Sequence, residues 1–194
     1  MNLLFHMYLS GNDQELLVGN FMGDFVKGPL GDTYPSRVRQ GLVLHRKIDS
    51  FAQRDRSFQA SRLRLSPEYG LYRGVLVDLF YDHFLAKEWS VWSDTLLPDY
   101  ISWARGIIDE HRSIMPKQLQ EFVPVIFDQL LPSYPAVAGI ESALHRMSRR
   151  VRRSNPLAEG GGELMRHYEE LKADFERFII AVKQFSTDII ESGA

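Results

Sequence analysis

LHRKIDSF, residues 44–51, lies in a stretch whose apolar positions recur every three or four residues, and its reading decides that of the whole chain. Val38, Leu42, His45, Asp49 and Ala52 fall at those steps, which puts them on one face of a helix from about Ser36 to Arg54. Pro35 suits the first turn of such a helix. The face that should be purely apolar therefore carries an imidazole and, one turn later, a carboxylate. The pattern recurs between Pro67 and about Lys87, where the inward stripe reads Leu71, Val75, Asp78, Asp82 and Leu85.

Outward from this stretch, helical periodicity dominates, and no run of alternating β-branched residues demands a sheet. An all-α, single-domain helical bundle spanning 1–194 is expected. A helix capped near Asp13 runs to about Lys27 and stops at Gly28-Pro29. A short helix follows around Ser57 to Leu65. Helices are also expected over Pro98 to Met115, over Lys117 to Leu131 with a bend or break at Pro124, and over Pro135 to about Arg153. Beyond the glycines at 160–162, a long closing helix places Leu164, Tyr168, Leu171, Phe175, Phe178, Val182, Phe185 and Ile189 at heptad-like steps.

Composition narrows the chemistry. At 194 residues, with 44% apolar and 25% charged side chains, the chain can bury one good core. A net charge of −2 gives no global attraction to nucleic acid or membrane, so any macromolecular partner must be met by a local patch. Without cysteine, disulfides, thiolate zinc sites and cysteine nucleophiles are excluded, and a metal could be held only by His, Asp or Glu. The opening MNLLFHMYLSGND has no basic leader and contains His6, which fits neither a signal peptide nor a bilayer span. A cytoplasmic protein is expected.

Burying a carboxylate without a partner costs roughly several kcal/mol. Side chains at i and i+4 stand about 5 to 6 Å apart at Cβ, near enough to share a cation. His45 with Asp49, Asp78 with Asp82, and Asn20 with Asp24 all have this spacing, and a divalent ion between helices would compensate them. A local ion pair explains each pair equally well, with Arg46 or Arg73 as partners for the acids, and His6 alone reads as a core histidine. The arginines 146, 149, 150, 152 and 153 also admit two readings: a solvated helix end that complements the dipole, or a docking site for an acidic macromolecule. Arg54, Arg56, Arg62 and Arg64 form a second basic run.

The strings MNLLFHMYLS, GNFMGDFVKG, LHRKIDSF, LVDLFYDHFLAKEW and HRMSRR, in this order and spacing, resemble the acyl carrier protein phosphodiesterases. The resemblance implies an all-helical fold distantly similar to HD-domain phosphohydrolases. It implies a Mn2+- or Mg2+-dependent hydrolase that removes 4′-phosphopantetheine from the serine of holo acyl carrier protein, an acidic partner suited to the arginine-rich helix. The positions that carry over are His6, Asn20, Asp24, His45, Asp49, Asp78, Asp82 and His83. Asp24, His45, Asp49, Asp78 and Asp82 are then the expected metal ligands, with His6 and Asn20 as additions. His83 is the expected proton donor, and Arg46 or Lys27 the expected phosphate holder. Family members commonly read FTD where this chain has Phe51, Ala52 and Gln53, so an amide replaces an acid; Asp55 stands two residues on. A hydrolase of nucleotides or other small phosphoesters, and a non-catalytic module that binds acyl carrier protein, are the alternatives.

Overall fold

The computed structural model describes residues 2–151 and 153–192. Among these there is no strand, as the helical periodicity demands. The helices are α1 (Leu3–Tyr8), α2 (Gln14–Met22), α3 (Ser36–Ala52), α4 (Arg56–Arg64), α5 (Tyr72–Lys87), α6 (Trp89–Trp92), α7 (Leu97–Glu110), α8 (Lys117–Val125), α9 (Leu131–Ser133), α10 (Val137–Arg150), α11 (Gly161–Arg166) and α12 (Tyr168–Ser192).

Side-chain caps set the starts of two helices around the site. Asp13 accepts from Leu16 N at 2.9 Å and opens α2, while Asp55 accepts from Ser57 N and Phe58 N and opens α4. Asp55 is thereby engaged in capping α4 through Oδ1. Residues 23–25 tighten into a 3-10 turn after α2, which ends that helix earlier than the expected Lys27 and swings Asp24 toward α3.

Helix α12 is the central packing element, lying against α3, α4 and α5. Its Phe175 and Phe178 meet Phe5, Phe58 and Tyr81 with ring centroids 5.3 to 6.0 Å apart. Burying each such ring contributes about 1.5–3 kcal/mol. A polar lock ties α12 to α4 beside them: Ser61 Oγ donates to Asp174 Oδ2 at 3.1 Å, and Arg64 Nε donates to the same oxygen at 2.9 Å.

Three expected elements differ. Pro67–Tyr69 form a 3-10 turn and α5 begins only at Tyr72. Leu71 is consequently 91% exposed and Val75 36% exposed, so the stripe expected to point inward overhangs a cleft at that end. Pro124 does not stop its helix: the Gln120 carbonyl, whose intrahelical partner would be the amide that proline lacks, accepts from Arg112 Nη2 at 2.7 Å, and a π-helical segment follows at Ile126–Leu130. The closing helix is interrupted at His167 (φ −118°, ψ 27°), leaving α11 and α12 as separate pieces.

Candidate metal and phosphodiester site

The site is set by how closely α2 and α3 pack. A Cβ on Gly19 would collide with the Val38 carbonyl, and one on Gly41 with the Leu16 carbonyl. Only glycine permits that approach. It brings Asn20 and Asp24 against His45 and Asp49. Gly23 extends the same contact, since a Cβ there would lie inside the His45 ring.

His6 arrives from α1 and stacks on His45, with centroids 3.8 Å apart and planes 14° apart. Asn20 serves both rings from behind. Its backbone carbonyl accepts from His45 Nδ1 at 2.8 Å, and its side-chain carbonyl accepts from His6 Nδ1 at 2.8 Å. The amide orientation follows from its other face, where Nδ2 donates to the His6 carbonyl at 2.7 Å and to Ser10 Oγ at 3.0 Å. Both imidazoles thus carry a proton on Nδ1 and turn Nε2 toward Asp49. His6 Nε2 is 3.3 Å from Asp49 Oδ1, His45 Nε2 is 3.3 Å from Oδ2, and Asp24 Oδ1 lies 3.7 Å from His45 Nε2. Asn20 therefore orients the rings from outside the donor set rather than joining it.

The electrostatics show what the cluster lacks. Burial, and then the neighbouring His45, push His6 down to about 4. Its buried Nε2 lies 3.3 Å from Asp49 Oδ1, and a divalent cation placed between them could take both as donors. For His45 burial opposes the charge, yet hydrogen bonds to Asp24 and Asp49 prevail and raise it to about 9. Asp49 is likewise opposed by burial but held well below the carboxylate range by hydrogen bonds from His45 and His6. His6, His45 and Asp49 each offer a donor atom within 4.8 Å of the others, so a divalent cation fits both the donor chemistry and the spacing.

A cleft of about 620 Å3 opens over this cluster. Its polar lining includes Asp24, Asp49, Gln53, Arg62 and Asp78, and Leu71, Val75 and Met147 form an apolar margin. Asp78 faces the cleft from α5, with its carboxyl pushed up by burial, and stands outside the tight three-residue group. Gln53, where the resemblance implies an acid, lines the same space.

Four expected site residues lie elsewhere. Asp82 is fully buried and accepts from Leu4 N and Phe5 N, both at 3.0 Å; it caps α1 from across the core and is not placed as a ligand. Burial pushes its carboxyl up to about 7 against the pull of those two amides. His83 is removed from the proton-donor role by its surroundings. Its ring is buried, with Nδ1 against the Tyr134 carbonyl at 2.8 Å and Nε2 against the Tyr168 hydroxyl at 2.9 Å. Neighbouring helical residues point about 100° apart, which is why one acid-bearing stripe could not include both Asp82 and His83. Arg46 donates to the Val26 and Gly28 carbonyls and straps the loop after α2, while Lys27 is exposed and 4.0 Å from Asp24. Neither of these two cations lines the cleft. Arg62, noted in the sequence only as part of a basic run, does.

The arginine-rich end of α10 borders the cleft through Met147. Arg146 donates to Gln129 Oε1 at 2.9 Å, Arg150 sits 4.1 Å from the Phe122 ring centroid, and Arg149 and Arg153 are exposed. Arg152 lies outside the described residues.

No solved structure matches this chain. A family model described as acyl carrier protein phosphodiesterase matches residues 1–182. Curated relatives carrying that same name include one from Serratia proteamaculans (strain 568), 28% identical, with 97% of this chain and 98% of the relative covered. Another, from Photorhabdus laumondii, is 31% identical over 92% of this chain and 91% of its own, and one from Klebsiella pneumoniae (strain 342) is 30% identical over 92% and 93%. With nearly the whole length matched and the HRKID aspartate lining the cleft, the chain belongs to the acyl carrier protein phosphodiesterase family.

Proposed function

We propose that this protein hydrolyses the phosphodiester joining 4′-phosphopantetheine to the serine of holo acyl carrier protein, releasing the apo carrier. The observation that carries the reading is the set of His6 Nε2, His45 Nε2 and Asp49 donors, joined to an open cleft through Asp49 and Asp24, in a chain of this family. A divalent cation held there, with Asp24 beside it, would supply Lewis acidity toward the phosphate and toward an attacking water. Two imidazole nitrogens in the donor set favour Mn2+ over Mg2+.

The chain's own groups do the rest. Asn20 keeps both Nε2 atoms aimed inward, and Asp49 holds the two rings in place through their facing nitrogens. Asp78, on the α5 wall and with its carboxyl pushed up by burial, is the group placed to pass a proton to the departing serine oxygen. The leucine, valine and methionine at the cleft margin suit the uncharged pantetheine arm. Arg146, Arg149, Arg150 and Arg153 form the surface that receives the acidic carrier, and the cytoplasm is the compartment this reading implies.

The test is incubation of the purified protein with holo acyl carrier protein and Mn2+, with and without chelator, following the mass of the carrier. Loss of the phosphopantetheine mass only with metal is expected. A carrier left intact under every metal would overturn the reading. Turnover of nucleotides or small phosphodiesters alone would reassign the substrate, and metal-independent carrier binding without hydrolysis would make this a binding module.

A further inference from the structure

We propose that Arg62 is the phosphate-binding cation of the cleft, engaging a non-bridging oxygen of the phosphodiester through its guanidinium. This rests on the hydrolytic reading for its substrate, while the anion site itself is drawn from Arg62 and its surroundings. The cleft that presents Asp24, Asp49 and Asp78 has a single cationic side chain in its described lining, and it is Arg62. A monoanionic diester approaching three carboxylates needs opposing positive charge on the protein side as well as at the histidine cluster.

The state of the guanidinium supports the assignment. Arg62 Nε is buried and has no hydrogen-bond acceptor, and Nη1 reaches only Gln59 Oε1, at a long 3.4 Å. No ion pair engages Arg62 among the described residues. Its neighbours in the same basic run contrast with it: Arg64 is bound to the buried Asp174, and Arg54 donates to the Ser50 carbonyl. Arg73, packed beside Arg62, donates to the Gly70 and Arg62 carbonyls. With Nε covered by α5 at Gly74 and Nη1 held only by that long contact, the charge of Arg62 is met by no acid among the described residues, and a phosphate oxygen entering the cleft would supply the acceptor its Nη groups lack.

Position on the helix explains why this arginine and not another. Arg62 follows Phe58 by four residues, and both line the cleft, so α4 presents one face to the substrate. Arg64 turns to α12 instead. The Asp55 cap and the Asp174 lock hold α4 at both ends. The guanidinium is thereby carried on a fixed element.

The experiment has two arms. In the first, the side-chain Nε–H resonance of Arg62, assigned by its loss in Arg62→Lys, is followed by NMR during titration of the Mn2+-free protein with inorganic phosphate. A saturating shift of that resonance, with the other arginine Nε–H signals still, is expected; an unmoved Arg62 signal overturns the proposal. In the second, Arg62→Ala and Arg62→Lys are assayed on holo acyl carrier protein. The expected kcat/KM loss for Arg62→Ala is about 100- to 1,000-fold. Added guanidinium should recover part of it in Arg62→Ala only, with Mn2+ affinity unchanged. Activity of Arg62→Ala within threefold of the parent, or a loss that guanidinium does not touch, overturns it. A parent protein that never releases phosphopantetheine, yet shows the phosphate-induced shift, sinks the hydrolytic reading and leaves the anion site standing.

Discussion

Asn20 neither reaches solvent nor lines the cleft, yet it decides which edge each imidazole shows to Asp49. Replacing it with Ala leaves the backbone carbonyl for His45 and strips His6 Nδ1 of its acceptor. Mn2+ affinity of Asn20→Ala, measured calorimetrically, should fall about 10- to 100-fold. Asp82 makes the opposite prediction. Asp82→Ala should lower unfolding stability by about 2 kcal/mol, read from denaturant melts, because it leaves the first amides of α1 without their acceptor, and Mn2+ affinity should hold. A large loss of metal binding in Asp82→Ala would restore Asp82 to the ligand set. Both residues stood in the sequence as one class, polar groups on an apolar stripe. His45 with Asp49 was legible there because i and i+4 are local neighbours. Spacing did not join His6 to them, since it lies far from Asp49 in the chain and the docking of α1 unites them; only the family resemblance placed His6 beside them. Arg62 was hidden for the same reason: its significance lies in acids borne by other helices.

At the level of elements, the Gly19–Gly41 contact between α2 and α3 is what turns two ordinary amphipathic helices into a site. Gly41→Ala forces a methyl into the Leu16 carbonyl. It should cost about 1–3 kcal/mol by overpacking. Because the strain separates Asn20 and Asp24 from His45 and Asp49, Mn2+ binding should weaken as well, although Gly41 touches no donor. Wild-type stability and affinity in Gly41→Ala would show that the helices can slide to accommodate a methyl. The identity and order of the longer helices were legible, since the 3.6-residue pattern and the Asp13 cap are written locally, while the short α6 and α9 were not. Boundaries were not, wherever tertiary demands competed. The apolar stripe runs through His167 without a mark, but the chain turns there, and buried Glu163 just before it accepts from Ser66 N at 2.7 Å across the fold. Pro124 carried its warning in the sequence, but the rescue of the Gln120 carbonyl by Arg112, from the preceding turn, did not.

Across the whole molecule, a net charge of −2 steers nothing; its distribution can. Four described arginines cluster at and just beyond the end of α10, whose Met147 also lines the cleft, so an acidic carrier drawn to that end arrives beside the reacting groups. Arg149 is the cleanest probe because it is exposed, and Arg150, though stacked on Phe122, keeps its charge at the surface. Reversing both to Glu should act on encounter rather than chemistry. The expectation is a rise in KM for holo acyl carrier protein of about tenfold with kcat nearly unchanged, and no effect on a small phosphodiester. Added salt should shrink the gap between the parent and the reversed protein, because exposed charges are screened within about 8 Å at physiological ionic strength. Equal losses on the carrier and on the small diester would instead place these arginines among the supports of the cleft, and a gap insensitive to salt would argue against electrostatic docking at this end of α10.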